Sequence, residues 1–225
     1  GTNFTAKNLP NAFSVLAVTR KGNLLNAPDI YMEKIAIGKN LPKNIVDLDF
    51  GVKKNIKLLA SAKNVQTNKI TACLLKRPRH NKIIKDLKDL NVKIIYIDDG
   101  DVSGALTVSS PISKVDIFLG IGGAPEGVLA ASALKCLGGQ IQGRLIFRSD
   151  TERKRAITAG IDNLNKIYTL NEMVTKDVIF AATGVTDGSI LRGARWDGNI
   201  LEMETILMRS KTGSVRRLLY RQRFS

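Results

Sequence analysis

Cysteine occurs twice in 225 residues, histidine once, and aromatic side chains make up only 5%. Cys73 and Cys136 both lie inside apolar runs, so they read as buried thiols, which fits a reducing compartment. A lone His80 with two scattered cysteines offers no zinc site. So few aromatics cannot build a base-stacking surface for nucleic acid. No apolar run is long enough to span a bilayer and no signal-peptide pattern opens the chain. The expected location is the cytoplasm, or a plastid if the source is a photosynthetic eukaryote. Internal repeats and low-complexity linkers are also missing. Acidic residues are outnumbered, 20 Asp and Glu against 35 Lys and Arg, for a net charge of +15. A basic balance suits nucleic acid, a membrane surface or a small anionic substrate. The cations are dispersed except near residues 76–80 and 216–223, so neither nucleic acid nor membrane is the expected partner.

The most informative stretch is VDIFLGIGGAPEGVLAASALKCLGG, residues 115–139. An apolar run at 115–119 meets Gly120, Gly122 and Gly123. Pro125 and Glu126 then open an Ala/Leu-rich segment that stops at Gly138 and Gly139. This predicts strand, tight loop, helix, with Pro at the helix start and Gly past its end. Glycines there admit a ligand to the backbone, and the free N–H groups of a helix start favour an anion such as phosphate. The stretch is neither the dinucleotide fingerprint, whose third Gly is replaced by Pro125, nor a P-loop, since no GK[ST] follows. Glu126 would repel a phosphate unless a cation lay between them. It is read either as a metal ligand or as a carboxylate complementing the helix dipole.

Along the chain, strands are expected at 12–19, 31–37, 70–75, 92–97, 115–119, 144–147, 166–170, 177–183, 200–208 and 214–221. Helices are expected at 52–63, 81–90 and 150–160 besides the one after Pro125. Alternation of strands and helices from 52 to 160 argues an α/β core, partly parallel, flanked by hairpins. Three polar groups follow consecutive strands: KRPRH at 76–80, DDGD at 98–101 and GIGGAPE at 120–126. If those strands are parallel neighbours, the three groups meet at one sheet edge, where open α/β folds bind ligands. Arg77 and Arg79 would grip phosphate oxygens, and Asp99 and Asp101 would accept hydrogen bonds from sugar hydroxyls. Read in isolation, KRPRH is equally a solvated helix start and DDGD a type I turn.

Taken together, KRPRH, DGDVSGAL, GIGGAPEGVLAASALKCLGG, QGRL and FAATGVTDG, in this order and spacing, resemble the class II (GlpX-type) fructose-1,6-bisphosphatases along essentially the whole chain. The resemblance implies a layered α/β/α/β/α sandwich of the metal-dependent sugar and inositol phosphatases. It also implies hydrolysis of the 1-phosphate of fructose 1,6-bisphosphate by water activated by Mn2+ or Mg2+. Glu126 matches the family's metal-ligating Glu. Tyr31, Gly123, the Arg77, Pro78, Arg79 segment and Asp99, Gly100, Asp101 match its substrate-contacting positions. Arg77 stands where the family has Lys, and Lys76 could substitute for it. No ligand role is assigned to residues 181–188.

Gly1 and Thr2 match the end of the superfamily's D-P-x-D/E-G-T motif, with Thr2 touching substrate and orienting the attacking water. The sequence is therefore expected to be the later part of a longer protein whose upstream carboxylates complete the metal site. The 225 residues alone would then be inactive, and the full protein a homo-oligomer. On this expectation residues 1–70 are the remainder of a metal-site domain and 71–225 an α/β domain carrying the substrate and metal loops. A bifunctional fructose/sedoheptulose bisphosphatase and a non-hydrolysing phosphosugar-binding protein are the alternative readings.

Overall fold

A computed structural model of the chain describes residues 2–98, 100–110 and 113–224. Gly1, Asp99 and the side chain of Thr2, singled out above, lie outside the description. The chain builds two sheets. The larger has the order β4 (Lys93–Ile97), β3 (Thr71–Leu75), β5 (Ile117–Gly123), β2 (Tyr31–Ile37), β6 (Gln140–Ile146), β7 (Ile167–Thr169). β3 runs parallel to both β4 and β5, as the ligand-edge expectation requires, while β2, β6 and β7 join antiparallel. The second sheet contains β1 (Phe13–Val18), β8 (Ile179–Gly184), β10 (Ile200–Arg209) and β11 (Ser214–Arg223), with short β9 (Arg195–Asp197) on β10. β1 and β2, which precede residue 70, pair with β8 and with β5 and β6, so strands from both sides of that expected boundary share each sheet.

Two cores follow from how the strands divide their side chains. Alternation along β2 sends Ile35 and Ile37 to one face, where α2 (Gly51–Ala62) and α3 (Asn81–Asp89) bring Ile56, Leu59 and Leu87. It sends Met32 and Ala36 to the other face, into the larger core between the sheets. That core holds α4 (Asp101–Thr107) and α5 (Ala124–Leu137). α5 packs on β1, β8 and β10 on one side and on β2, β5 and β6 on the other, which is why it is apolar nearly all round. Pro125 occupies its first turn, and Gly138 ends it at φ 77°, with its N–H donating to the Leu134 carbonyl. The layers thus run sheet, helices, sheet, helices, four of the five expected. The outward face of the five-stranded sheet leaves Leu16, Val18, Leu218 and Tyr220 exposed. Shorter helices α1 (Thr2–Ala6), α6 (Asp150–Thr158) and α7 (Leu170–Met173) complete the fold.

Two local expectations need correction. No loop separates β5 from α5: the strand runs through Gly120, Gly122 and Gly123, paired with Lys34, Met32 and Tyr31, and the helix begins at Ala124. The DDGD segment is more than a turn, because Asp101 starts α4 after Gly100, whose φ of 88° is left-handed.

Candidate active site

The ends of β3, β4 and β5, with the start of β2, open onto a cavity of about 480 Å³, a size that suits a small ligand. Tyr31, Arg77, Arg79, Gly100, Asp101, Gly123 and Glu126 all line it. Pro78 does not; it starts a single helical turn that aims the neighbouring arginine. Sequence reasoning had not singled out Asn11, Phe13 and Val15 from β1 and its approach, or Leu129 from α5, which form the far wall. A second hollow of about 390 Å³, lined by Lys43, Lys135 and Gln140, lies at the other end of β2. Its Lys135 is already bonded to Asn171 and to the Val174 carbonyl.

The arginine segment is fastened to β5 at one residue. Arg79 Nε donates to the Ile121 carbonyl at 2.9 Å, and the Ile121 N–H donates to His80 Nε2 at 2.8 Å. Because Nε2 accepts, the ring proton sits on Nδ1, which donates to the Leu75 carbonyl at 2.7 Å. His80 is fully buried, and burial holds its pKa below the ordinary 6.5. It is a neutral bracket that joins the end of β3 to β5. Tyr31 is flanked by two guanidinium groups, Arg79 at 5.0 Å and Arg148 at 4.4 Å from the ring centre. Arg148 is held in turn by Glu152.

Beneath the cavity lies a buried ion pair. Lys34, on the β2 face shared with Met32 and Ala36, is fully buried, pairs with Asp101, and donates to the Gly123 carbonyl at 2.8 Å. Burial pulls the Lys34 ammonium below the usual lysine range, and Asp101 opposes that shift. Asp101 is 6% exposed; Lys34 lies against its Oδ2, and its Oδ1 has no hydrogen-bond partner among the described residues. Oδ1 is thus a buried acceptor left without a donor in a residue that lines the cavity. Glycines make room for these charges: a Cβ at Gly122 would come within 1.8 Å of Asp101 Oδ2, and one at Gly123 within 1.9 Å of Glu126 Oε2. Glu126 stands in the first turn of α5. Burial pushes the Cys73 and Cys136 thiols up to about 11, which leaves no thiolate nucleophile in the chain's only cysteines.

Two arginines, a buried acid and a carboxylate at a helix start therefore line one cavity, and comparison with known proteins gives the same motifs a family. The family described as bacterial fructose-1,6-bisphosphatase, glpX-encoded, matches residues 1–221. The chain belongs to that family. The class 2 fructose-1,6-bisphosphatase of Haemophilus influenzae is 40% identical over 232 residues, covering 97% of this chain and 69% of the relative. Fructose-1,6-bisphosphatase 1 class 2 of Escherichia coli K12 is 39% identical, covering 97% and 68%. Within this family fold, the described residues hold no group of three or more His, Cys, Asp or Glu side chains placed to bind a metal. A hard dication such as Mg2+ takes one or two protein carboxylates together with water and phosphate oxygens, and Glu126 is of that ligand type. The carboxylate fits a share in such a site without completing one.

Proposed function

We propose that the protein hydrolyses the 1-phosphate of D-fructose 1,6-bisphosphate, releasing fructose 6-phosphate and phosphate, with Mn2+ or Mg2+ as cofactor. The observation that carries this is the convergence of Arg77, Arg79, Asp101 and Glu126 on one cavity in a chain of this family. Arg77 and Arg79 hold phosphate oxygens, with Arg79 oriented by Tyr31 and Ile121. Asp101, which lines the cavity, accepts from a sugar hydroxyl, and Asp99 and Gly100 are assigned to the substrate by the motif they match. The backbone at Gly123 lies against the substrate, and Pro78 shapes the arginine segment. Gly1 and Thr2 are assigned to the substrate by the motif they match, Thr2 serving to orient the attacking water. Glu126 gives one ligand to the divalent cation, which when bound neutralises phosphate charge and makes water a better nucleophile. The protein acts in the cytoplasm as a homo-oligomer on this free sugar bisphosphate.

The test compares phosphate release by the full-length protein and its Glu126→Gln variant, each with Mn2+ or Mg2+, alongside thermal melts. Glutamine keeps a polar first-turn residue, so loss of the dipole interaction should cost only about 0.3–1 kcal/mol of stability. Metal-dependent release should nonetheless collapse, because a neutral amide is a poor ligand for a hard dication. Full activity in the variant would make Glu126 a dipole partner. A wild type that binds fructose 1,6-bisphosphate and releases no phosphate would favour a binding protein.

A further inference from the structure

We infer that Lys34, which the family motifs quoted above do not include, is a positioning residue for this site. Its buried ammonium ties the Asp101 carboxylate at the start of α4 to the Gly123 carbonyl at the end of β5, and so sets how that acid stands relative to Glu126 in the first turn of α5. The inference rests on the proposed phosphatase reading. Lys34 is completely buried, so it acts through these two groups and does not touch substrate. The channel that holds it is shaped for a long stem: a Cβ at Gly127 would press within 3.2 Å of Lys34 Cδ and 2.6 Å of Met32 Sδ. At the far end, Gly122 leaves the space that the Asp101 carboxylate fills.

A buried ion pair is a weak source of stability, since apolar side chains of similar volume commonly serve as well. Its value here lies in direction. Lys34 engages Oδ2 of a carboxylate whose residue lines the cavity, and it leaves Oδ1 without a hydrogen-bond donor among the described residues. The same ammonium bonds the carbonyl of Gly123, three residues before Glu126. Glu126 and Arg79 are the other charged groups whose fields reach Lys34, so the ammonium sits centrally beneath the charges that line the cavity. Were Lys34 merely filling space, methionine, nearly its shape, would replace it without consequence for the substrate.

The experiment uses the full-length protein with Lys34→Met, Asp101→Asn and the double variant, each assayed for phosphate release from fructose 1,6-bisphosphate and for thermal stability. Lys34→Met should raise KM at least ~10-fold, the loss of one well-placed charged contact. The double variant should be impaired less than the two single effects combined, because Lys34 acts in part through that carboxylate. If Lys34→Met does not fold, Lys34→Gln decides: it keeps a donor but lacks the ammonium's reach and charge, and it should raise KM several-fold. Wild-type KM in the folded lysine variants, or effects of Lys34→Met and Asp101→Asn that simply add, overturns the inference while leaving the phosphatase reading intact. Absence of phosphate release from the wild type would instead overturn that reading, and this inference with it.

Discussion

His80 joins the arginine segment to β5 only while it is neutral. Its folded pKa lies below the ordinary 6.5, so the unfolded chain takes up a proton first as pH falls. The stability it contributes is complete above about pH 6.5 and is lost as pH drops through the lower folded value. A protonated ring would also set an N–H on Nε2 against the Ile121 N–H. Melting temperature should therefore decline below about pH 6.5 more steeply in the wild type than in His80→Gln, whose side chain does not titrate. Parallel curves for the two would remove His80 as the cause. Arg79 carries a separable role. Arg79→Ala should raise KM strongly, since a charge-assisted phosphate contact is worth roughly 1.5–3 kcal/mol. The His80 bracket remains to hold the segment, so the melting temperature should change little. An unchanged KM would exclude Arg79 from the substrate site.

The glycines of β5 serve the charges around them, and this makes two neighbouring substitutions diverge. Gly122→Ala would place a methyl 1.8 Å from an Asp101 oxygen that is buried and tied to Lys34, so stability should fall by about 1–3 kcal/mol. Gly123→Ala would meet Glu126 Oε2 at 1.9 Å, the far end of a side chain that can rotate, so the fold should survive while metal-dependent activity is lost. Equal melting temperatures for the two would contradict this account of β5. The contrast also shows where reading the sequence stopped. Periodicity located α2, α3 and the strands of the parallel core, and the three polar groups meet at one edge as their positions after consecutive strands implied. A run of glycines has little strand propensity, however, and only the pairing with β2 and the packing of His80 and Asp101 make it extended. α4 escaped notice because seven residues carry too short a period to see. Lys34 was legible only as a member of the strand at 31–37; its burial beside Met32 and Ala36 is unexpected for a lysine until its partner on a distant helix is known.

The whole molecule carries a net charge of +15, yet much of its outer charge is locally paired. On β11, Arg217 meets Glu204 and Arg221 meets Glu202; elsewhere Lys53 meets Asp89 and Arg144 meets Glu33 and Asp49. Around the cavity, among the described residues, Arg77 and Arg79 stand beside Glu126 and an Asp101 that is paired with buried Lys34, so guanidinium groups meet an approaching bisphosphate. Two effects of that charge are separable by salt. The grip of Arg79 acts at contact distance and is weakly screened, whereas attraction by the dispersed lysines acts beyond the Debye length of about 10 Å at 0.1 M. Raising KCl from about 50 to about 500 mM should therefore lower kcat/KM for fructose 1,6-bisphosphate several-fold while kcat stays nearly constant. Arg79→Ala should keep the same proportional salt response from its lower starting value, because the long-range field remains. If kcat/KM does not vary with salt, the surplus of lysine and arginine takes no part in capturing the substrate, and the basic balance of the chain must be explained without it.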